Sequence, residues 1–162
     1  MISGKNYIGF KNSSESKNSI FSVTADSVQN LKEAFFTATK EEVNKAVEKA
    51  QAAFTVYSKF SGERKAEFLD TIASEIEAIS DQLIERATLE SGLPNGRFQG
   101  ELGRTTGQLR LFSSLLKDGS WVEATIDAAL PDRTPMPRPD LRKMLTAVGP
   151  VVVFGASNLP LA

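Results

Sequence analysis

The sequence of 162 residues contains no cysteine and no histidine. It therefore cannot form a disulfide, supply a cysteine nucleophile or a Ser–His pair, or build a zinc site from the usual ligands. Its 19 lysines and arginines nearly balance 20 aspartates and glutamates, so we expect no nucleic-acid partner. It shows no secretory leader and no apolar run that would span a bilayer, which predicts a cytoplasmic protein with no membrane contact and no metal.

Apolar residues recur at intervals of three and four between residues 40 and 91, which predicts three amphipathic helices. Thr39 stands three residues before Glu42, the pattern of a capping box at the start of the first helix. Gly92 and the proline that follows Leu93 predict the end of the third helix. A fourth helix is expected over about 94–117, before Gly119.

Short β-like segments flank these helices. Residues 7–10 and 20–23 predict a hairpin or an extended arm, and the apolar run 34–38 predicts a strand. Alternating patterns around 122–126 and 141–147 predict two strands on either side of a proline-rich connection. A two-stranded ribbon of this kind is marginal in water and is expected to need a partner surface.

Residues 151–154, with the sequence Val-Val-Val-Phe, resemble a strand buried on both faces of a parallel sheet. No second strand of this type follows in the sequence. The run could complete a small sheet with the N-terminal β segments, or it could be the first strand of a larger α/β domain, because an unpaired apolar edge is unfavourable.

Several separated motifs, in order, resemble the N-terminal part of the aldehyde dehydrogenase superfamily. The similarity extends from about Tyr7 to Ala162, and the most similar branch is the NADP-type α-ketoglutarate semialdehyde (2,5-dioxovalerate) dehydrogenases. The motifs are Thr-Lys-Glu-Glu-Val at 39–43, Glu-Ser-Gly-Leu-Pro at 90–94, Gly-Glu-Leu-Gly-Arg-Thr-Thr-Gly-Gln-Leu at 100–109, and Gly-Pro-Val-Val-Val-Phe-Gly-Ala-Ser-Asn-Leu-Pro at 149–160.

The resemblance implies an α/β fold, of which this chain would be the N-terminal portion. Residues 1–119 would hold the N-terminal β segments and the helical part of the cofactor-binding domain. Residues 120–147 would form a β-ribbon arm that joins subunits into a homo-oligomer. Residues 148–162 would begin the nucleotide-binding sheet.

The resemblance also implies oxidation of an aldehyde, α-ketoglutarate semialdehyde, to the carboxylic acid with NADP or NAD as cofactor. The family's cysteine nucleophile and glutamate base fall outside these residues, so we expect the chain alone to be inactive. A helical interaction or assembly module without enzymatic activity is the alternative.

The Asn-x-Pro motif contains the one catalytic position of the family in this sequence, Asn158. An uncharged amide offers two N–H donors, which suit a developing oxyanion. The same motif is also a common turn signal after a strand. By resemblance, Phe154, Gly155, Ala156 and Ser157 would line the cofactor, largely through their backbone.

Arg104 and Gln108 are the expected substrate-binding residues, because in this family the corresponding helix borders the substrate tunnel. An arginine there could hold a substrate carboxylate through two hydrogen bonds. Alternatively, Arg104 could form an ordinary ion pair with Glu101 on the helix surface. Arg97, four residues before Glu101, could form a pair of the same kind.

Overall fold

The computed structural model describes residues 2–162 and contains four helices with short antiparallel strands on either side of them in sequence. The helices are α1 (Lys40–Tyr57), α2 (Gly62–Ala78), α3 (Ser80–Ser91) and α4 (Asn95–Asp118). The strands are β1 (Asn6–Ile8), β2 (Lys11–Ser13), β3 (Ser19–Val23), β4 (Asn30–Phe36), β5 (Thr125–Asp127) and β6 (Leu141–Lys143).

The predicted helix boundaries are confirmed to within a few residues. Thr39 caps α1 in a complete capping box, in which its side chain accepts the Glu42 N–H and the Glu42 side chain accepts the Thr39 N–H. Gly92 and Gly119 end α3 and α4 in the left-handed conformation, with φ of 70° and 76°. Glycine suits these two positions because it has no Cβ to clash there.

Helices α2 and α4 make the most extensive interhelical contact of the chain. Small residues allow this close approach: Ala66 and Ala73 of α2 are completely buried, and Ser113 of α4 is 1% exposed. At the start of α2, a Cβ added to Gly62 would lie 2.3 Å from the Leu116 carbonyl oxygen. The two backbones therefore meet at Gly62 with no room for a side chain.

A small apolar core lies where α3 meets the first half of α4. Its buried members are Ile84, Phe98 and Leu102. Partly buried residues packed around them are Ile76, Leu83, Ala87, Leu93 and Leu161. Because Leu161 is among them, the last residues of the chain are held against the helices.

The six strands form three separate two-stranded antiparallel sheets, β1–β2, β3–β4 and β5–β6. The predicted hairpin between 7–10 and 20–23 is wrong in its pairing. Strand β1 pairs with β2 across the tight turn at Gly9 and Phe10, while β3 pairs with β4. Phe10 and Gly9 both have positive φ, which allows a local hairpin that sequence patterning did not indicate.

The ribbon predicted between 120 and 147 forms, but its strands are shorter than expected. Strands β5 and β6 have three residues each, with Ile126 opposite Arg142, and all six residues are exposed. An isolated bridge between Leu130 and Arg138 closes the proline-rich connection. Val122, which the alternating pattern placed at the start of the first strand, lies instead at the end of a 3₁₀ turn over Ser120–Val122.

The strand expected at 151–154 is not formed within residues 2–162, and neither is the alternative pairing with the N-terminal strands. Val151, Val152, Val153 and Phe154 are 71–91% exposed. A strand exists only through hydrogen bonds to a neighbour, and the described part of the chain places no neighbouring strand beside this segment. These four residues therefore form an exposed apolar run.

The chain has much more surface than a compact monomer of its mass. It exposes 12292 Å², whereas a monomer of this size typically exposes about 7,900 Å². The excess comes from the apolar face of α1, from the ribbon and from residues 148–157, all of which are largely exposed. Among residues 2–162, no helix is both long and apolar enough to cross a bilayer.

Candidate functional site

The candidate site lies where the C-terminal residues 156–161 cross α4 and the end of α3. Residues 157–159 bend and residues 160–161 form a turn, so the Asn-x-Pro motif adopts the turn geometry that its sequence allows. The side chain of Leu161 packs against the core of Ile84, Phe98 and Leu102. This contact attaches the motif to the small apolar core.

Three α4 side chains bond to the backbone of this segment. Arg97 Nη2 donates to the Asn158 carbonyl oxygen at 2.6 Å. Glu101 Oε2 accepts from the Leu161 N–H at 3.0 Å. Thr105 Oγ1 donates to the Leu161 carbonyl oxygen at 2.7 Å. Because each side chain is four residues from the next, all three lie along one side of the helix.

Glu101 links Arg97 to Leu161, and its carboxyl is buried, with 6% of the residue exposed. Its Oε1 accepts from Arg97 Nε at 2.9 Å. The Leu161 N–H, followed by Arg97, holds the pKa of the Glu101 carboxyl below its usual range despite its burial. The carboxyl is thus an ionised acceptor that binds one side chain and one backbone group.

A cleft of about 550 Å³ lies between α3 and this segment. Two of the four residues expected to line a cofactor, Ala156 and Ser157, contribute to its wall. The other two do not: Phe154 is 91% exposed, and a Cβ on Gly155 would meet nothing within 4 Å. The residues lining the cleft are Leu83, Arg86, Ala87, Glu90, Ser91, Ala156, Ser157, Pro160 and Leu161.

The exposed segment 151–157 has a backbone that can bind a ligand. Within residues 2–162, none of its backbone N–H groups donates a hydrogen bond. Asn158 is exposed, and its carbonyl oxygen is already bonded to Arg97. The unused polar groups of this segment fit the backbone contacts that a nucleotide or an oxyanion would require.

Arg104 and Gln108 lie on the same face of α4, one turn apart, and both are exposed. The possible ion pair between Arg104 and Glu101 does not form, because Glu101 bonds to Arg97 and Leu161 instead. The described residues provide no ion-pair partner for Arg104. Neither Arg104 nor Gln108 lines the cleft at 156–161.

Sequence reasoning missed how α4 contacts the C-terminal segment. The Arg97 and Glu101 pair was foreseen, but as an ordinary surface pair, and Thr105 was not singled out as a site residue. One available signal was the spacing of Arg97, Glu101 and Thr105, which puts three hydrogen-bonding side chains in a row. Among residues 2–162, no group of acidic residues has the geometry of a metal site.

Comparison with protein families gives a match over most of the chain. Residues 12–162 match the model described as the aldehyde dehydrogenase family. This stretch includes all four helices, the ribbon and the segment that carries Asn158.

Two curated relatives are named for the same substrate. The chain is 46% identical over 159 residues to an α-ketoglutaric semialdehyde dehydrogenase of Acinetobacter baylyi, a match that covers 98% of this chain and 30% of the relative. It is 53% identical over 128 residues to α-ketoglutaric semialdehyde dehydrogenase 2 of Azospirillum brasilense, and this match covers 79% of this chain and 24% of the relative. The chain therefore spans less than a third of the length of these relatives.

Solved structures share the fold at lower identity. Betaine aldehyde dehydrogenase of Staphylococcus aureus, solved as a variant in complex with NAD+, superposes with a TM-score of 0.69 at 22% identity, covering 80% of this chain and 26% of that one. An NAD-dependent benzaldehyde dehydrogenase of Corynebacterium glutamicum superposes with a TM-score of 0.70 at 17% identity, covering 83% of this chain and 28% of that one. The chain corresponds to a portion of this α/β fold.

Proposed function

This chain belongs to the aldehyde dehydrogenase family, and we propose that it is the N-terminal part of an enzyme that oxidises α-ketoglutarate semialdehyde to the carboxylic acid. The observation that carries the proposal is the 46% and 53% identity to two dehydrogenases named for that substrate. The surface excess of the chain supports a longer parent, because other parts of the protein or other subunits would have to cover it.

In this proposal the chain has three parts. Residues 1–119 form the N-terminal β segments and the helical part of the cofactor domain, 120–147 form an oligomerisation arm, and 148–162 begin the nucleotide-binding sheet. The exposure of the ribbon and of the apolar run 151–154 supports this division, since the ribbon has unpaired strand edges and the run exposes apolar side chains. In the parent, a neighbouring strand would pair with 151–154.

Ala156 and Ser157 would form one wall of the site for NAD or NADP, and Phe154 and Gly155 would contribute backbone contacts. Two features support this assignment: the cleft beside Ala156 and Ser157, and the unbonded N–H groups of the segment. When bound, the cofactor would accept a hydride from the substrate carbon. The chain has no cysteine, so the nucleophile must come from the remaining part of the enzyme.

Asn158 is the residue we assign to transition-state stabilisation. Its amide would donate a hydrogen bond to the negative oxygen that develops on the substrate carbonyl carbon. A preorganised donor of this kind contributes about 3 kcal/mol to lowering the barrier. We therefore expect Asn158→Ala to lower kcat of the full-length enzyme by about 10²- to 10³-fold, with a much smaller change in KM.

A side chain of the same shape separates donation from packing. Asn158→Asp keeps the size of the residue but replaces the N–H donors by acceptor oxygens, so it should be at least as slow as Asn158→Ala. Steady-state rates at saturating cofactor, measured with NAD and with NADP, provide the comparison. A kcat within twofold of wild type in both variants would remove Asn158 from the mechanism.

Arg104 would bind the distal carboxylate of the substrate, with Gln108 as a second donor. Its exposed guanidinium, which has no ion-pair partner within residues 2–162, supports this role. Arg104→Met should reduce the preference for α-ketoglutarate semialdehyde over pentanal, which lacks the carboxylate, by about 10- to 100-fold in kcat/KM. Gln108→Leu should reduce it by about fivefold.

Arg110→Met is the matched control for this measurement. Arg110 is also an α4 arginine, but it bonds to Glu77 of α2, and its substitution should leave the substrate preference unchanged. An unaltered preference in Arg104→Met would exclude the carboxylate role. The intact mass of the native protein tests the proposal of a longer parent directly.

A further inference from the structure

The α4 side chains that hold the C-terminal segment form a defined unit, which we call the α4 clamp: Arg97, Glu101 and Thr105. The clamp bonds to both polar backbone groups of Leu161 and to the carbonyl of Asn158. A bend held at both ends in this way is fixed in register, because a shift of one residue would break all three hydrogen bonds.

The contacts of the clamp are stronger than ordinary surface contacts. Glu101 is 6% exposed, and Arg97 bonds to it through Nε while its Nη2 reaches Asn158. Two of the three bonds to the segment involve a charged group, and such bonds are stronger than those between neutral groups. The Leu161 side chain adds apolar packing between the two bonded backbone groups and the core.

We propose that Arg97, Glu101 and Thr105 are positioning residues for Asn158: they fix the backbone from which its amide reaches the reacting carbonyl. This inference rests on the proposed catalytic role of Asn158. A donor stabilises an oxyanion only if it is held in place before the reaction, so loosening its backbone raises the barrier without removing any group from the site.

Thr105→Val in the full-length enzyme is the sharpest variant, because it removes one hydroxyl and keeps the shape of the side chain. We expect the single-turnover rate of aldehyde oxidation to fall about 3- to 10-fold while KM for α-ketoglutarate semialdehyde changes less than twofold. Thr105→Ser keeps the donor and should retain most of the rate.

Arg97→Met is the second variant, and it guards against a folding defect because 41% of the Arg97 side chain is exposed. It should also lower the rate about 3- to 10-fold. Arg110→Met is its control, since the Arg110 side chain has a similar exposure of 43% and bonds to a glutamate but does not contact the C-terminal segment. The control should keep the wild-type rate.

Combining each variant with Asn158→Ala identifies the route of the effect. If the clamp acts through Asn158, Thr105→Val and Arg97→Met should have no further effect in the Asn158→Ala background. An equal loss in both backgrounds, or no loss in the wild-type background, would overturn the inference while leaving the role of Asn158 intact. An unchanged rate in Asn158→Ala alone would overturn the proposed catalytic role of Asn158 instead.

Discussion

Helix α1 and the α2–α4 pair are both amphipathic in sequence, yet they differ in how their apolar faces are used. In α2 the small residues Ala66 and Ala73 are completely buried against α4. In α1 the apolar residues Val43 and Val47 are 51% and 52% exposed, and Glu42 is the one buried residue of the helix. The apolar face of α2 is covered by α4, whereas residues 2–162 leave the apolar face of α1 largely exposed.

This contrast concerns the apolar stripe, the row of apolar side chains along one side of each helix. The stripe identifies the side of a helix that is meant to be buried, but not the element that buries it. Helix α1 is held mainly by polar bonds at its N-terminus, where Glu42 accepts from Ser13, Asn6, Glu15 and Thr39. We expect substitutions in the α2–α4 contact to change stability most and those on the α1 stripe least.

The largest loss is expected from Gly62→Ala. The new Cβ would lie 2.3 Å from a backbone oxygen of α4, so the helices would have to separate. Overpacking of this kind costs about 1–3 kcal/mol, which urea denaturation of the chain, followed by its helical circular dichroism, would detect.

Gly100→Ala in α4 is the control for that substitution. A Cβ at Gly100 would meet nothing within 4 Å, and alanine is the better helix former. It should stabilise the chain by about 0.5–1 kcal/mol. Equal and favourable effects at Gly62 and Gly100 would contradict the close approach of α2 and α4.

The next largest effect is expected at the start of α1. Thr39→Ala removes the side-chain acceptor of the capping box and should cost about 1 kcal/mol of unfolding free energy. Thr39→Ser keeps the hydroxyl and should restore most of this loss. If both variants are as stable as wild type, the N-terminus of α1 does not depend on its cap.

The same capping box makes stability depend on pH. Hydrogen bonds from Ser13 and then from the Thr39 N–H lower the pKa of Glu42 from 4.5 to about 2. As the pH falls, Glu42 is protonated in the unfolded chain before it is protonated in the folded chain. The stabilisation of the folded state by ionised Glu42 is therefore complete above pH 4.5 and is lost as the pH falls towards 2. The difference in unfolding free energy between wild type and Glu42→Gln should shrink in that window; a difference independent of pH would contradict the assignment.

A smaller effect is expected from the ion pair between Glu77 and Arg110, which joins α2 to α4 at their exposed edge. The side chains of Glu77 and Arg110 are 50% and 43% exposed, so solvent screens the pair. Glu77→Gln should cost about 0.5 kcal/mol, and added salt should reduce the difference. A loss above about 2 kcal/mol would mean that the pair contributes more to stability than a solvent-exposed ion pair normally does.

The smallest effect is expected from Val47→Ala on the α1 stripe. In the chain alone the substitution should change stability by no more than about 0.5 kcal/mol, because Val47 is half exposed and alanine favours the helix. In the full-length enzyme, where we propose that the stripe is covered, it should cost about 1–2 kcal/mol. Equal effects in both proteins would mean that the stripe stays exposed.

Local signals predicted the helices well because each one acts within a turn or two of chain. Thr39 begins α1 through its side chain, and Gly92 and Gly119 end α3 and α4 through their left-handed conformation. The structure confirms all three. Strand pairing was predicted less well. The partner of β1 depends on a tight turn at Gly9, and the run at 151–154 has no partner strand among residues 2–162.

The candidate site divides in the same way. The motif that contains Asn158 could be found from sequence, because it is short and continuous. The clamp could not, because Glu101 and Leu161 are 60 residues apart in sequence and meet only when α4 and the C-terminal segment pack together. Arg97 and Glu101 were therefore interpreted as an ordinary surface pair, whereas both bond to the backbone of the C-terminal segment.

The sequence by itself determined the helices, their ends, the family and the absence of a thiol nucleophile from this chain, since these follow from residue identity and local spacing. The tertiary structure decided which apolar faces are buried, which strands pair, and that Arg97, Glu101 and Thr105 hold the backbone around Asn158. The reason is physical: burial and strand pairing depend on the surface that comes to lie opposite, and that surface is supplied by residues distant in the chain.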